Sequence, residues 1–160
     1  MNLKINTTLK SLLLLTIVAF IGGCKPVSME KANEAMLKKQ YAISADMYDQ
    51  LASNSDISKQ DRQTAAYRGA ESYRFNHQPK KALKLYNKAI QYGAQDPETI
   101  YRLAQMHKQM GEYEQAIKNF KLYQKEMPGD ERIEAMIQGC EAALKWKEEK
   151  SRYMVESFKP

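Results

Sequence analysis

The chain has 160 residues, of which 28% are charged, and a formal net charge of +6. That length holds one modest domain. The charge is mild and both signs interleave through the helical stretches, as on ordinary solvated faces, so no basic stripe for nucleic acid is present.

Lys4 and Lys10 make a basic start, Leu12 to Ile21 is an apolar run broken only by Thr16, and Gly22 and Gly23 lead to Cys24. Basic, apolar, then small is the order of an export signal. The run is too short for a membrane span, which takes about 20 residues. Ile21-Gly22-Gly23-Cys24 resembles a bacterial lipobox. An uncleaved anchor, or a plain signal followed by a chance cysteine, is the bland alternative. The resemblance implies cleavage before Cys24 and acylation of its thiol and new amine. Residues 1–23 would be the signal and 24–28 a short tether. Several acyl chains anchor stably, since each buried methylene contributes about 0.8 kcal/mol. Removing Lys4 and Lys10 lowers the formal charge from +6 to +4. With Cys24 lipidated, Cys140 stands alone and no intramolecular disulfide forms. Cys140 follows Ile133, Met136 and Ile137 at helical spacing, so it reads as a small buried hydrophobe.

Helical periodicity begins near Met29, where Ala32, Ala35 and Met36 share a face. A second helix is predicted over Tyr41–Ala52, with Tyr41, Ser44, Ala45 and Tyr48 on one side. These form a first, divergent unit over 29–62. Its end, Ser53 to Arg62, is polar, with turn and helix-start chemistry. The next unit, 63–96, puts Ala66, Ala70 and Tyr73 on its first helix and turns at Asn76 to Pro79. Ala82, Leu85, Tyr86, Ala89 and Ile90 follow on its second helix, which Gly93 ends. In 97–130 the buried side of the first helix reads Ile100, Leu103, Ala104 and His107. Gly111 marks its turn, and Ala116, Ile117, Phe120 and Tyr123 lie on its second helix. A helix over 131–147, apolar at Ile133, Ile137, Cys140 and Leu144, reads as a cap for the last open face. Residues 148–160 form a tail that is charged and then apolar, at Tyr153 to Phe158, with Trp146 just past the cap.

Units two and three are the same pattern at a shift of 34: Tyr67-Arg68 falls on Tyr101-Arg102, Ala70 on Ala104, Ala82 on Ala116, and Tyr86 on Phe120. A fixed period of that length with small and aromatic residues at set offsets resembles the tetratricopeptide repeat. The expected fold is all-α, a solenoid of three helix-turn-helix units plus a C-terminal capping helix. Alanines stand where paired helices approach closely, and aromatics fill the gap to the next unit. Such solenoids bind proteins.

The resemblance implies a groove lined by the first helix of each unit. Carried over by position, its residues are Tyr67, Arg68, Glu71 and Arg74 in the second unit. In the third they are Tyr101, Arg102, Gln105 and Lys108, and in the first Met29, Asn33 and Met36. Tyrosines and arginines supply most interface energy. A clamp for carboxylate-ended peptides is not matched, because Glu98 stands where a clamp lysine would be. His107 aligns with Tyr73 and reads as a packed residue, and His77 lies in a turn. No His-Glu-x-x-His, Cys-x-x-Cys, acidic calcium loop, phosphate loop or nucleophile elbow occurs. The expectation is no enzyme, no metal, no cofactor beyond the lipid on Cys24, and no nucleic-acid or small-molecule partner.

Lipobox, short repeat array, Trp146 and apolar tail together resemble the N-terminal part of PorE-like lipoproteins of Bacteroidetes. These continue into a β-propeller and an OmpA-like domain and serve type IX secretion. The resemblance stops short of the propeller and OmpA-like domain, so peptidoglycan binding is not carried over. It implies a lipid-anchored adaptor at the periplasmic face of the outer membrane, bound to protein partners of the cell envelope. The alternative is a pilotin-like or chaperone lipoprotein that escorts a client to the outer membrane.

Overall fold

Seven helices and no strand are found among the described residues, 26–149, of this computed structural model. Cys24, the signal and the tail beyond residue 149 lie outside them. The helices are α1 (Met29–Leu37), α2 (Tyr41–Ser53), α3 (Lys59–Phe75), α4 (Pro79–Gln91), α5 (Pro97–Gln109), α6 (Tyr113–Glu126) and α7 (Arg132–Glu148).

Side chains at the helix starts explain several boundaries. Ser28 accepts from the Lys31 amide, Ser58 from Asp61 and Asp96 from Thr99. Each satisfies an amide that the first helical turn leaves free. Pro79 and Pro97 occupy first-turn positions, where a missing amide hydrogen costs nothing. The Ser58 cap starts α3 at Lys59, one turn ahead of the boundary at 63. The polar stretch before it therefore supplies helix as well as turn.

Three tight turns reverse the chain within the pairs α1–α2, α3–α4 and α5–α6. Each holds one residue with left-handed backbone: Lys39 at φ 57°, His77 at 53° and Gly111 at 72°. Glycine takes this conformation freely, whereas a Cβ costs about 1–2 kcal/mol. Short turns make the paired helices antiparallel. Each helix packs on its neighbour in chain order, as a solenoid requires. Odd helices form one layer and even helices the other.

Ala66, Ala70, Ala82, Ala104 and Ala116 are all fully buried, as are Tyr48, Tyr86 and Phe120, each of which meets the odd helix of its own pair, at Asn33, Tyr67 and Tyr101 respectively. Leu103 and Met106 of α5 join the core of α1–α4, while Tyr101 and Ala104 join that of α6 and α7. The two cores thus meet on α5. Buried Ser44 and Ser72 are hydroxyl to hydroxyl at 3.0 Å across α2 and α3, and Ser72 also donates to Arg68 O.

Several expected core positions differ. Ile90 is exposed, because the α4 face it shares is already filled by Leu85, Tyr86 and Ala89. Ile100 and Leu144 are only partly buried. Thr99, Tyr101 and Met106 instead join Leu103 and Ala104 in the interior of α5, so helices bury it from two sides. His107 is largely buried, but its Nδ1 lies 2.7 Å from Glu112 Oε2, a polar tie across the α5–α6 turn. Trp146 lies inside α7, not past it, and is 70% exposed.

Gly69 shows how close the pairing is. A Cβ there would stand 2.7 Å from Leu85 Cδ1 and 2.9 Å from Tyr48 Cβ. Leu85 is fully buried and Tyr48 Cβ is held by its own helix, so neither yields freely. Gly69→Val is expected to cost about 1–3 kcal/mol or more by overpacking. Gly69→Ala should also lose stability, despite a helix-propensity gain of about 1 kcal/mol. Melting of both variants against wild type checks the close approach, and a stabilised alanine variant would contradict it.

Candidate protein-binding groove

The odd helices set their polar side chains along one face. Between α1 and α3 lies a groove of about 540 Å³, walled by Met36 and Leu37 on one side and Tyr67 and Arg68 on the other. Tyr48 forms part of its lining, and Asn33 and Glu71 edge it. Leu37 is 83% exposed, an unusual place for a leucine.

Arg68 Nη1 donates to Asn33 Oδ1, which also accepts from the Tyr48 hydroxyl. No carboxylate lies within ion-pair distance of Arg68 among the described residues. A neutral amide fixes this guanidinium while leaving its charge unanswered. The other arginines of the face are answered. Arg74 forks onto Glu71 at 2.6 and 3.0 Å, and stacks over the Phe75 ring at 4.1 Å. Arg102 pairs with Glu98 at 2.6 Å, donates to Gln105 and lies 3.8 Å from Glu71. Burial would raise the Glu71 pKa. Hydrogen bonds from Arg74 and Tyr86, with the charges of Arg74 and Arg102, outweigh it and hold the carboxyl below its usual value. Burial, aided by the Glu71 charge, pushes the Tyr67 phenol up to about 12, so it stays a neutral donor.

The sequence-derived residues therefore part into three groups. Tyr67 and Arg68 line the groove. Glu71, Arg74, Arg102 and Gln105 form a largely self-satisfied network beside it. Tyr101 is a correction: it is only 5% exposed, with its ring against Phe120 and Tyr123 at 6.0 and 5.2 Å. It is held in because α6 and α7 both close over α5 at that point, and only its hydroxyl meets Gln105. Lys108 lies apart toward α7, with Nζ 3.6 Å from Met136 Sδ. Of the first unit, Asn33 and Met36 reach the groove while Met29 packs on the core.

Sequence reasoning missed Leu37 and Tyr48 as parts of this face, whereas it had already set Glu98 there, in the place of a clamp lysine. Leu37 breaks the polar character expected just before a turn, and that was its available signal. Arg68, Arg74 and Arg102 share the face with Glu71 and Glu98, and Asp96 lines a neighbouring hollow with Tyr67 and Arg68. No group of side chains suited to a metal ion occurs among the described residues. No helix among them is long and apolar enough to cross a membrane.

Residues 76–139 match the tetratricopeptide repeat family. The chain is also similar to the C-terminal TPR-containing domain of an FK506-binding protein from Plasmodium falciparum, at a TM-score of 0.59. Identity there is 18%, over 76% of this chain and 88% of that one. No curated protein matches the sequence. The fold is a tetratricopeptide-type helical solenoid. The family match begins in the α3–α4 turn and ends inside α7, so it covers α4, α5, α6 and the start of α7. Both helices of the groove, α1 and α3, lie outside that match.

Proposed function

We propose that this tetratricopeptide solenoid is a lipid-anchored adaptor of the bacterial cell envelope, of the kind that supports a secretion complex such as type IX. It holds a protein partner in the groove between α1 and α3. The observation that carries the binding role is Arg68, a guanidinium fixed by Asn33 with no carboxylate of its own among the described residues, beside the exposed Leu37. A partner segment with a carboxylate next to an apolar side chain answers both. Arginine pairs bidentately with carboxylates, and an apolar anchor in a pocket supplies the rest. Support for the anchor is the ordered run from Lys4 to Cys24.

Two experiments test this. A photoreactive residue in place of Leu37, activated in intact cells, should capture one envelope protein as a stable adduct. A catalogue of many faint adducts would oppose the adaptor reading. Cys24→Ala should abolish acyl labelling and leave the precursor uncleaved or free of the membrane. If the mutant is still cleaved and still sediments with membranes, another anchor holds it and the lipobox reading is wrong.

A further inference from the structure

We propose that the edge formed by the α1–α2 and α3–α4 turns, which meets the groove at Leu37, is a second docking surface for an acidic segment of a protein partner. The two turns adjoin: the rings of Tyr41 and Phe75 stack at 4.9 Å between them. Residues 37–43 and 74–81 hold Lys38, Lys39, Arg74, Lys80 and Lys81, and no acidic residue. Lys38 pairs with Glu34 and Arg74 with Glu71. Lys39, Lys80 and Lys81 have no ion pair among the described residues. Large apolar side chains stand among them in water: Leu37 is 83% exposed, Ile43 50% and Phe75 42%.

Backbone strain marks the same edge independently. Lys39, His77 and Gly111 hold the same left-handed place in successive turns. The third turn uses glycine, the residue that fits without cost. It is flanked by Lys108, Glu112 and Glu114, so it is not basic. The first two turns keep a lysine and a histidine in a conformation that a Cβ disfavours. Strain retained on an exposed turn points to a use for the side chain. At Lys39 that use is a cation projecting from the edge.

Both an anionic bilayer and an acidic protein would attract such a surface. Pro26 and Val27 lie against Gln50, Leu51 and Asn54 at the end of α2, on the opposite edge. On the N-terminal anchor proposed above, the lysine edge therefore faces away from the membrane, and the acidic protein is its partner.

The probe is a fluorescein-labelled peptide of alternating glutamate and leucine, read by anisotropy on the full chain. Its counterpart has glutamine for glutamate, and phosphatidylglycerol vesicles form the third arm. The glutamate peptide should bind, more weakly as salt rises. Lys39→Gly with Lys80→Ser should bind it about tenfold more weakly, the scale of two exposed ion pairs. The same variant should melt no lower than wild type, since glycine relieves the turn. Arg68→Glu, which disables the groove, should leave this binding in place; binding lost in that variant would belong to the groove and overturns the proposal. Equal binding of the two peptides, or an unweakened lysine variant, overturns the proposal. So does binding to vesicles without binding to the peptide, which would make the edge a membrane face.

Discussion

Tyr86→Ala is expected to cost about 3–5 kcal/mol, the range for emptying a buried aromatic site. Tyr86 is fully buried, its ring meets Tyr67 at 6.1 Å, and its hydroxyl donates to Glu71. Losses on that scale consume much of a domain's stability. Tyr86→Phe separates the two contributions. It keeps the ring and removes one donor from a carboxylate that still holds Arg74, so about 2 kcal/mol should be lost. Urea midpoints at constant slope measure both. If the phenylalanine variant falls as far as the alanine variant, the hydroxyl and not the packing dominates. The same carboxylate sets a pH dependence. Its folded-state pKa lies below the ordinary value, so the unfolded chain takes up a proton first as pH falls. The stabilisation is therefore complete above the unfolded pKa of about 4.3 and is lost as pH drops through the folded one. The stability gap between wild type and Glu71→Gln should be widest near neutrality and should close in acid.

The fold was legible because it is written in side-chain volume at a fixed period. Ala70 and Ala104, Ala82 and Ala116, Tyr86 and Phe120 repeat at 34 residues, and each pair has the same burial. Gly69 escaped notice because its partner Leu103 is large: the two positions solve the same contact with different neighbours. Ile90 misled for a related reason. Helical spacing marks a face, but the width that is covered depends on the next helix. The groove was half legible. The resemblance to the repeat family carried Arg68 and Glu71 onto the odd-helix face, and both edge the space between α1 and α3. It could not tell which side chains would satisfy one another. Arg68 and Arg102 occupy equivalent places, yet one meets Asn33 and the other Glu98. Tyr67 and Tyr101 are equivalent too, yet the second is closed in because both α6 and α7 pack over it. Those differences come from single neighbours in adjacent units, which a repeat alignment averages away.

Arg68→Glu should abolish capture of the groove partner while leaving the solenoid intact. The reversal sets a carboxylate beside Glu71 and against whatever acid the partner brings. Central interface residues of this kind cost about 2–4 kcal/mol when removed. At 1.4 kcal/mol per tenfold, binding should fall by about two orders of magnitude or more. Stability should change little by comparison, because Arg68 is partly exposed and its partner Asn33 keeps the Tyr48 hydroxyl. Arg68→Lys is the sharper control. Lysine preserves the charge but not the forked geometry, so an intermediate loss marks bidentate pairing with a carboxylate. Arg102→Ala is a poorer probe, since it strips Glu98 of its ion pair and Gln105 of its donor at once. The measurement is titration of the protein captured at Leu37 against each purified variant, with melting recorded in parallel. Undiminished binding by a folded Arg68→Glu chain would remove the groove from the function and leave the lysine edge as the candidate surface.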